Sequence, residues 1–222
     1  MRVVITSATV DEWMPSFLEM DEIYTAKSNR FKVTFHQSGV GLLSTAVSLT
    51  ELIYTEKPDL IIQAGIAGAF NTDATLGKVV IIKDDTPGDM GVEEDGKWKD
   101  IFEMKLEKSS YYPFEKRKLP NQHLEKFNLL KLPEVSAITV NEISTRQERI
   151  QQLIKKYNPY LETMEGCALH YVCRNANIPF VQIRSISNYV GERNKANWKL
   201  QESISNLNNT LIRYIEKLYK IS

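Results

Sequence analysis

The stretch "LIIQAGIAGAF", residues 60–70, decides the architecture. Its first half is apolar and rich in isoleucine, which suits a strand buried on both faces, so a strand is expected over 59–64. Its second half, "AGIAGA" at 64–69, is built of small residues and reads as a turn that follows the strand, where glycines let a backbone approach a ligand closely. With only 11 residues, broken by Gln63 and two glycines, the stretch is too short to cross a bilayer.

Working outward, residues 2–7, 31–37, 78–83, 134–140 and 179–187 have the same short, Val/Ile/Phe-rich character and read as further strands. Helical patterns lie between and after them, at about 42–56, 146–156, 163–176 and 198–220. In the first of these Leu43, Val47, Thr50 and Tyr54 fall on one stripe, the expected core-facing side; in the second Ile150, Leu153 and Ile154 do. Alternating strands and helices predict an α/β domain with a largely parallel sheet covered on both faces and a ligand crevice at the carboxyl ends of the strands. Residues 84–121 break the rhythm, being dense in charge, Pro and Gly, and are expected to form an irregular excursion that helps cover a pocket.

The 222 residues fit one domain able to bury its own core. Lys plus Arg equals Asp plus Glu, at 28 each, so no net field recruits nucleic acid or an anionic membrane, and any partner is recognised locally. Cys167 and Cys173 match neither a metal spacing nor a redox CxxC and are expected to be reduced core thiols. The opening "MRVVITSATVDEW" suits a first strand better than a secretory signal, which points to the cytoplasm.

Candidate chemistry collects after the strands. Small-residue turns occur at "SAT" (7–9), "SGVG" (38–41, with Gly41) and "AGIAGA" (with Gly65). Glu12 sits just past the first strand, where helix amide ends favour negative charge. Glu162 and Glu165 are expected on the first turn of a helix, with Glu162 as an exposed acid. Glu165 beside Met164 suits a sugar, because a carboxylate accepts from two vicinal hydroxyls while the thioether packs against the ring. The loop "SISNYVGER", 185–193, puts Asn188 where a buried strand gives way to a loop.

Together "GVG" near 40, "AGIAGA" near 66, "TMEGCAL" at 163–169 and "IPFVQIRSISN" at 178–188 resemble the nucleoside phosphorylase and nucleosidase family, nearly end to end. The resemblance implies a three-layer αβα sandwich around a mixed, partly barrel-like central sheet, with a purine nucleoside bound at the strand ends. It implies that Glu12 activates water, that Met164 and Glu165 bind ribose, and that Gly41, Gly65 and Ile143 join the substrate-binding set. Asn188 falls where adenine-cleaving members carry an aspartate. An amide donates its NH₂ to a 6-oxo group and accepts at its carbonyl from a protonated ring nitrogen, so Asn188 argues for hypoxanthine-type bases over adenine. Gln63 occupies the place of a phosphate-binding arginine, which favours water over phosphate. A 5′ extension ending in a benzoate would need a cation and an aromatic surface, for which Arg193 and Tyr189 or Trp198 are the candidates. Cleavage of an adenine nucleoside, phosphorolysis, and nucleoside binding without chemistry stand as the other readings. A homodimer or larger homo-oligomer is expected, and neither a metal nor a cofactor is called for.

Overall fold

A computed structural model describes residues 1–20 and 31–221. Its main sheet has eight strands: β1 (Arg2–Ser7), β2 (Lys32–Gln37), β3 (Leu60–Ala69), β4 (Val79–Pro87), β7 (Leu119–Pro120), β8 (Glu134–Thr139), β9 (Leu161–Thr163) and β10 (Phe180–Tyr189). The hairpin β5 (Gly91–Glu94) and β6 (Lys97–Asp100) stands apart. The helices are α1 (Met14–Met20), α2 (Gly41–Glu56), α3 (Leu124–Phe127), α4 (Gln147–Tyr157), α5 (Gly166–Ala176) and α6 (Leu200–Ile221).

The sheet order is β10-β4-β8-β9-β3-β1-β2, and β10 also pairs with β3, so five strands close on themselves while β1 and β2 extend from β3. The sheet is mixed: β1–β2, β1–β3, β3–β10, β4–β8 and β8–β9 are parallel, whereas β4–β10, β3–β9 and β4–β7 are antiparallel. Alternation along the strands feeds two cores. Val3 and Ile5 of β1 and Leu60, Ile62 and Ala64 of β3 pack with Leu207, Leu211 and Tyr214 of α6. Val4 and Ile61 face the other way, onto Leu49, Leu52 and Ile53 of α2 and Leu169 and Cys173 of α5. Helices thus cover both faces of a mixed, partly barrel-like sheet.

Four expectations are corrected. The "AGIAGA" segment is no turn: β3 runs on to Ala69 because Gly65 to Ala69 keep their pairing with β10. The helix expected from 163 starts at Gly166, since Leu161–Thr163 forms a short strand between β8 and β3. On α2 the buried face is Thr45, Leu49, Leu52 and Ile53, while Leu43, Val47 and Tyr54 are exposed. Two apolar stripes share that helix, and the inner one is the one that meets α5. The 84–121 segment opens as strand β4, and its remainder packs against α4 and α5. There Trp98 bonds Tyr157 and carries the Arg149 guanidinium 3.8 Å above its ring, and Phe102, Phe114 and Leu119 enclose Cys167.

Cys167 and Cys173 are free and buried, and burial pushes both thiols up. Among the described residues no helix is long and apolar enough to cross a membrane. Leu49→Ala should cost about 2–5 kcal/mol in urea unfolding, while Thr50→Ala next to it, on the exposed side, should change stability by less than about 0.5 kcal/mol.

Candidate active site

The carboxyl ends of β1, β3 and β10 and the segments after β8 and β9 surround a cavity of about 400 Å³, within the usual range for a small-molecule site. Glu12, Ile143, Met164, Glu165, Asn188 and Arg193 all line it, as does Trp198. Glu12 and Asn188, 176 positions apart in the chain, therefore meet at one place.

Glu12 closes a 3-10 turn, Val10–Glu12, whose capping box it completes: its Oε2 accepts from the Thr9 N–H at 3.1 Å. Its Oε1 accepts from the Ile66 N–H at 3.2 Å. The turn is tied to α6 by Asn208, whose Nδ2 donates to the Glu12 carbonyl at 2.9 Å while its Oδ1 accepts from the Ser16 N–H at 2.9 Å. Glu12 as a whole is 9% exposed.

Glu165 caps α5 without a side-chain bond of its own to that helix. Its Oε1 accepts from the Gly41 N–H at the start of α2, 3.2 Å away, an end where helix amides favour an anion. Its Oε2 faces Arg184 Nη1 at 3.6 Å. Burial pushes the Glu165 carboxyl above its ordinary range and the Arg184 charge pulls it back. Arg184 is itself 2% exposed and is held by Gln182 Oε1 at 3.0 Å and Gln63 Oε1 at 2.8 Å.

Asn188 ends β10. Its Oδ1 accepts from Ser187 Oγ at 2.7 Å and its Nδ2 donates to the Tyr189 carbonyl at 3.0 Å. One amide hydrogen and one carbonyl lone pair remain free for a ligand.

Not every expected residue lines the cavity. Gly41 acts through Glu165, and Gly65 lies behind the wall, where a Cβ would stand 2.1 Å from Arg184 Nη1 and 3.0 Å from Glu12 Oε1. Tyr189 points the opposite way from Asn188, packing beside Ala74 and Ile186 and donating to the Ala74 carbonyl at 3.0 Å, so it offers no stacking surface here. Trp198 does, with the Arg193 guanidinium 5.8 Å from its ring. Gln63 is buried against Arg184 and does not reach the cavity. Glu162 is no exposed first-turn acid: it lies in β9, is 7% exposed and lines the cavity. Sequence reasoning also missed Ser187, which orients Asn188, and Asn208, whose only signal is a polar residue on the apolar stripe of the last helix.

The family model that matches the chain is "Phosphorylase superfamily", over residues 15–219. The chain belongs to the phosphorylase superfamily. It is 25% identical over 174 residues to a futalosine hydrolase of Thermus thermophilus, covering 77% of this chain and 76% of that one. It is 30% identical over 169 residues to a 5′-methylthioadenosine/S-adenosylhomocysteine nucleosidase of Staphylococcus aureus, covering 75% and 72%. The fold matches the Helicobacter pylori 5′-methylthioadenosine/S-adenosylhomocysteine nucleosidase at a TM-score of 0.78, with 15% identity and 98% of each chain covered.

Within this superfamily member, Gly65 is the position on which the wall depends. Gly65→Ala would push the Arg184 guanidinium off its seat, and displacing Glu165 by about 1 Å should cost about 100-fold in kcat/KM, measured on whichever nucleoside the wild type cleaves, with circular dichroism unchanged.

Proposed function

We propose that this superfamily member hydrolyses the N-glycosidic bond of a 6-oxopurine nucleoside, with futalosine as its substrate, in the alternative menaquinone pathway. The observation that carries this is the convergence of Glu12, the Met164–Glu165 pair and Asn188 on one cavity. Glu165 accepts from the ribose hydroxyls, with Met164 against the sugar face. Glu12 takes a proton from a water that attacks the anomeric carbon as positive charge builds on the ribosyl ring. The hydroxide fragment of that water ends on the sugar, the Glu12 proton returns to solvent, and the departing base takes its proton from water. Asn188 holds the oxygenated edge of the base.

Water is favoured over phosphate by the charge of the lining. Asp11, Glu12, Glu162, Glu165 and Glu192 face the cavity against Arg193 as the only cation among its described lining residues. A phosphate dianion would meet net repulsion there. Arg193 beside Trp198 supplies the cation and the aromatic surface that a benzoate-bearing 5′ chain would use. The exposed stripe Leu43, Val47 and Tyr54 supports the expectation of at least a homodimer.

A second reading, a nucleosidase acting on methylthioadenosine or adenosylhomocysteine, draws on the 30% identity to the Staphylococcus relative. Incubation in phosphate-free buffer separates the two. Futalosine should release free hypoxanthine, and no release would defeat the proposal; adenine released faster from methylthioadenosine would install the second reading. Asn188→Asp should move the preference toward adenine nucleosides. In the same assay Glu12→Gln should lower kcat by about 10²–10⁴-fold while substrate binding, read by calorimetry, persists.

A further inference from the structure

Arg184 holds Glu165 from behind, and Arg184 is itself held by a further polar layer. Its Nη1 faces Glu165, its Nη2 donates to Gln63, and its Nε donates to Gln182 Oε1 at 3.0 Å. Gln182 is fully buried on β10, with its Nε2 3.0 Å from Asp85 Oδ2 and 3.0 Å from His170 Nε2. Asp85, fully buried on β4, also accepts through Oδ1 from the Thr86 N–H, Thr139 Oγ1 and Cys167 Sγ, the partners of an acceptor-only carboxylate. Burial keeps the His170 imidazole below its ordinary pKa, and its Nδ1 meets the Leu119 carbonyl, which can only accept, at 2.6 Å. Nδ1 therefore carries the proton, and Nε2 accepts from Gln182. One orientation of the Gln182 amide satisfies Asp85, His170 and Arg184 together. The flipped one would set its NH₂ against the guanidinium and its carbonyl against Asp85.

Asp85 and Gln182 reach Glu165 by a second route. Gly166 follows Glu165 and starts α5; a Cβ on it would stand 2.1 Å from Asp85 Oδ2 and 2.6 Å from both polar atoms of the Gln182 amide. The next residue, Cys167, donates its N–H to Thr139 Oγ1 at 2.8 Å, and that hydroxyl donates to Asp85 Oδ1 at 2.9 Å. The pair thus bears on the Glu165 side chain through Arg184 and on its backbone through the first turn of α5.

We propose that Gln182 is a positioning residue for Glu165, its amide aligned by Asp85 and His170 so that the Arg184 guanidinium is held where it fixes the ribose-binding carboxylate. This rests on the nucleoside-hydrolysis reading above and is independent of which base departs. The anion on one side of the amide and the cation on the other polarise it in the same sense, so each bond strengthens the next.

The test reverses the polarity of the pair. Asp85→Asn keeps the size but presents an NH₂ to Gln182 Nε2, a mismatch relieved only by flipping the Gln182 amide against Arg184. On the nucleoside that wild type cleaves, kcat/KM should fall about 100-fold, as for a substrate-positioning group displaced by about 1 Å. The ratio of kcat/KM for that ribonucleoside to its 2′-deoxy counterpart should shrink at least about tenfold, because the weakened contact is the one to the ribose hydroxyls. A general loss of structure would lower both substrates together. Adding Gln182→Glu to Asp85→Asn restores the pairing with donor and acceptor exchanged, and should return the ratio toward wild type and recover at least about tenfold in kcat/KM. Gln182→Met removes the polarity without adding a charge and should match Asp85→Asn, which keeps the test decisive if one variant folds poorly. Wild-type kinetics in both single variants, an unchanged ribose-to-deoxyribose ratio alongside their loss of activity, or no recovery in the double variant would overturn the positioning role alone. A wild type that cleaves no purine nucleoside would overturn the hydrolytic reading and this role with it.

Discussion

The wall of the site is organised around one buried cation. Arg184, 2% exposed on β10, lies over Gly65 of β3 and touches Gln63, Gln182 and Glu165. A guanidinium at this depth persists only when its hydrogen bonds and charge are answered, and removing either member of such a pair costs about 3–5 kcal/mol. The arrangement fixes the Glu165 carboxylate from behind, while the Gly41 N–H fixes it from the side. Glu165 thus arrives at the cavity already oriented, so that under the proposed reading its bonds to a sugar need not also pay for ordering it.

Small residues on β3 make this possible. At Gly65 the missing Cβ gives room to Arg184 on the wall side, and at Gly68 it gives room to Asn188 on the cavity side. A strand of larger side chains would have closed the sheet equally well and left no space for its neighbours' polar groups. The pairing of β3 with β1, β9 and β10 along its length places it at the centre of this arrangement. Backbone hydrogen bonds hold the strand, and its emptiness is filled by others.

Much of this was legible in the sequence. Six apolar segments marked six strands to within a few residues, and the resemblance to the nucleoside phosphorylase and nucleosidase family put Glu12, Met164, Glu165 and Asn188 at one site before their convergence was visible. The misreadings share a cause: a local pattern admits two solutions and tertiary pairing selects one. On α2 both Leu43–Val47–Tyr54 and Thr45–Leu49–Leu52 are helical stripes, and contact with α5 chose the second. In "AGIAGA" small residues suit a turn, yet β10 lies alongside and completes a strand. Glu162 and Glu165 look like neighbours on a helix; a three-residue strand takes the first, and burial follows from that. Tyr189 stands next to Asn188 in sequence, and strand alternation turns it into the core. No spacing rule reveals a glycine's role as a seat for a side chain more than a hundred residues away.

Under the hydrolytic reading, one electrostatic feature would serve two ends. Breaking the glycosidic bond builds positive charge on the ribosyl ring, and a lining rich in carboxylates favours that state over the neutral substrate, which is the differential binding that raises a rate. The same lining repels phosphate, so selectivity for water needs no separate device. Cost falls on the carboxylates themselves, since Glu12, Glu162 and Glu165 are 9%, 7% and 6% exposed and crowd one cavity. Each accepts from a backbone N–H, of Ile66, Ser144 and Gly41 respectively, and Glu165 also faces the buried Arg184. Main-chain donors are fixed by the fold and carry no net charge. They can hold three acids close together without cancelling the negative potential that the chemistry would use.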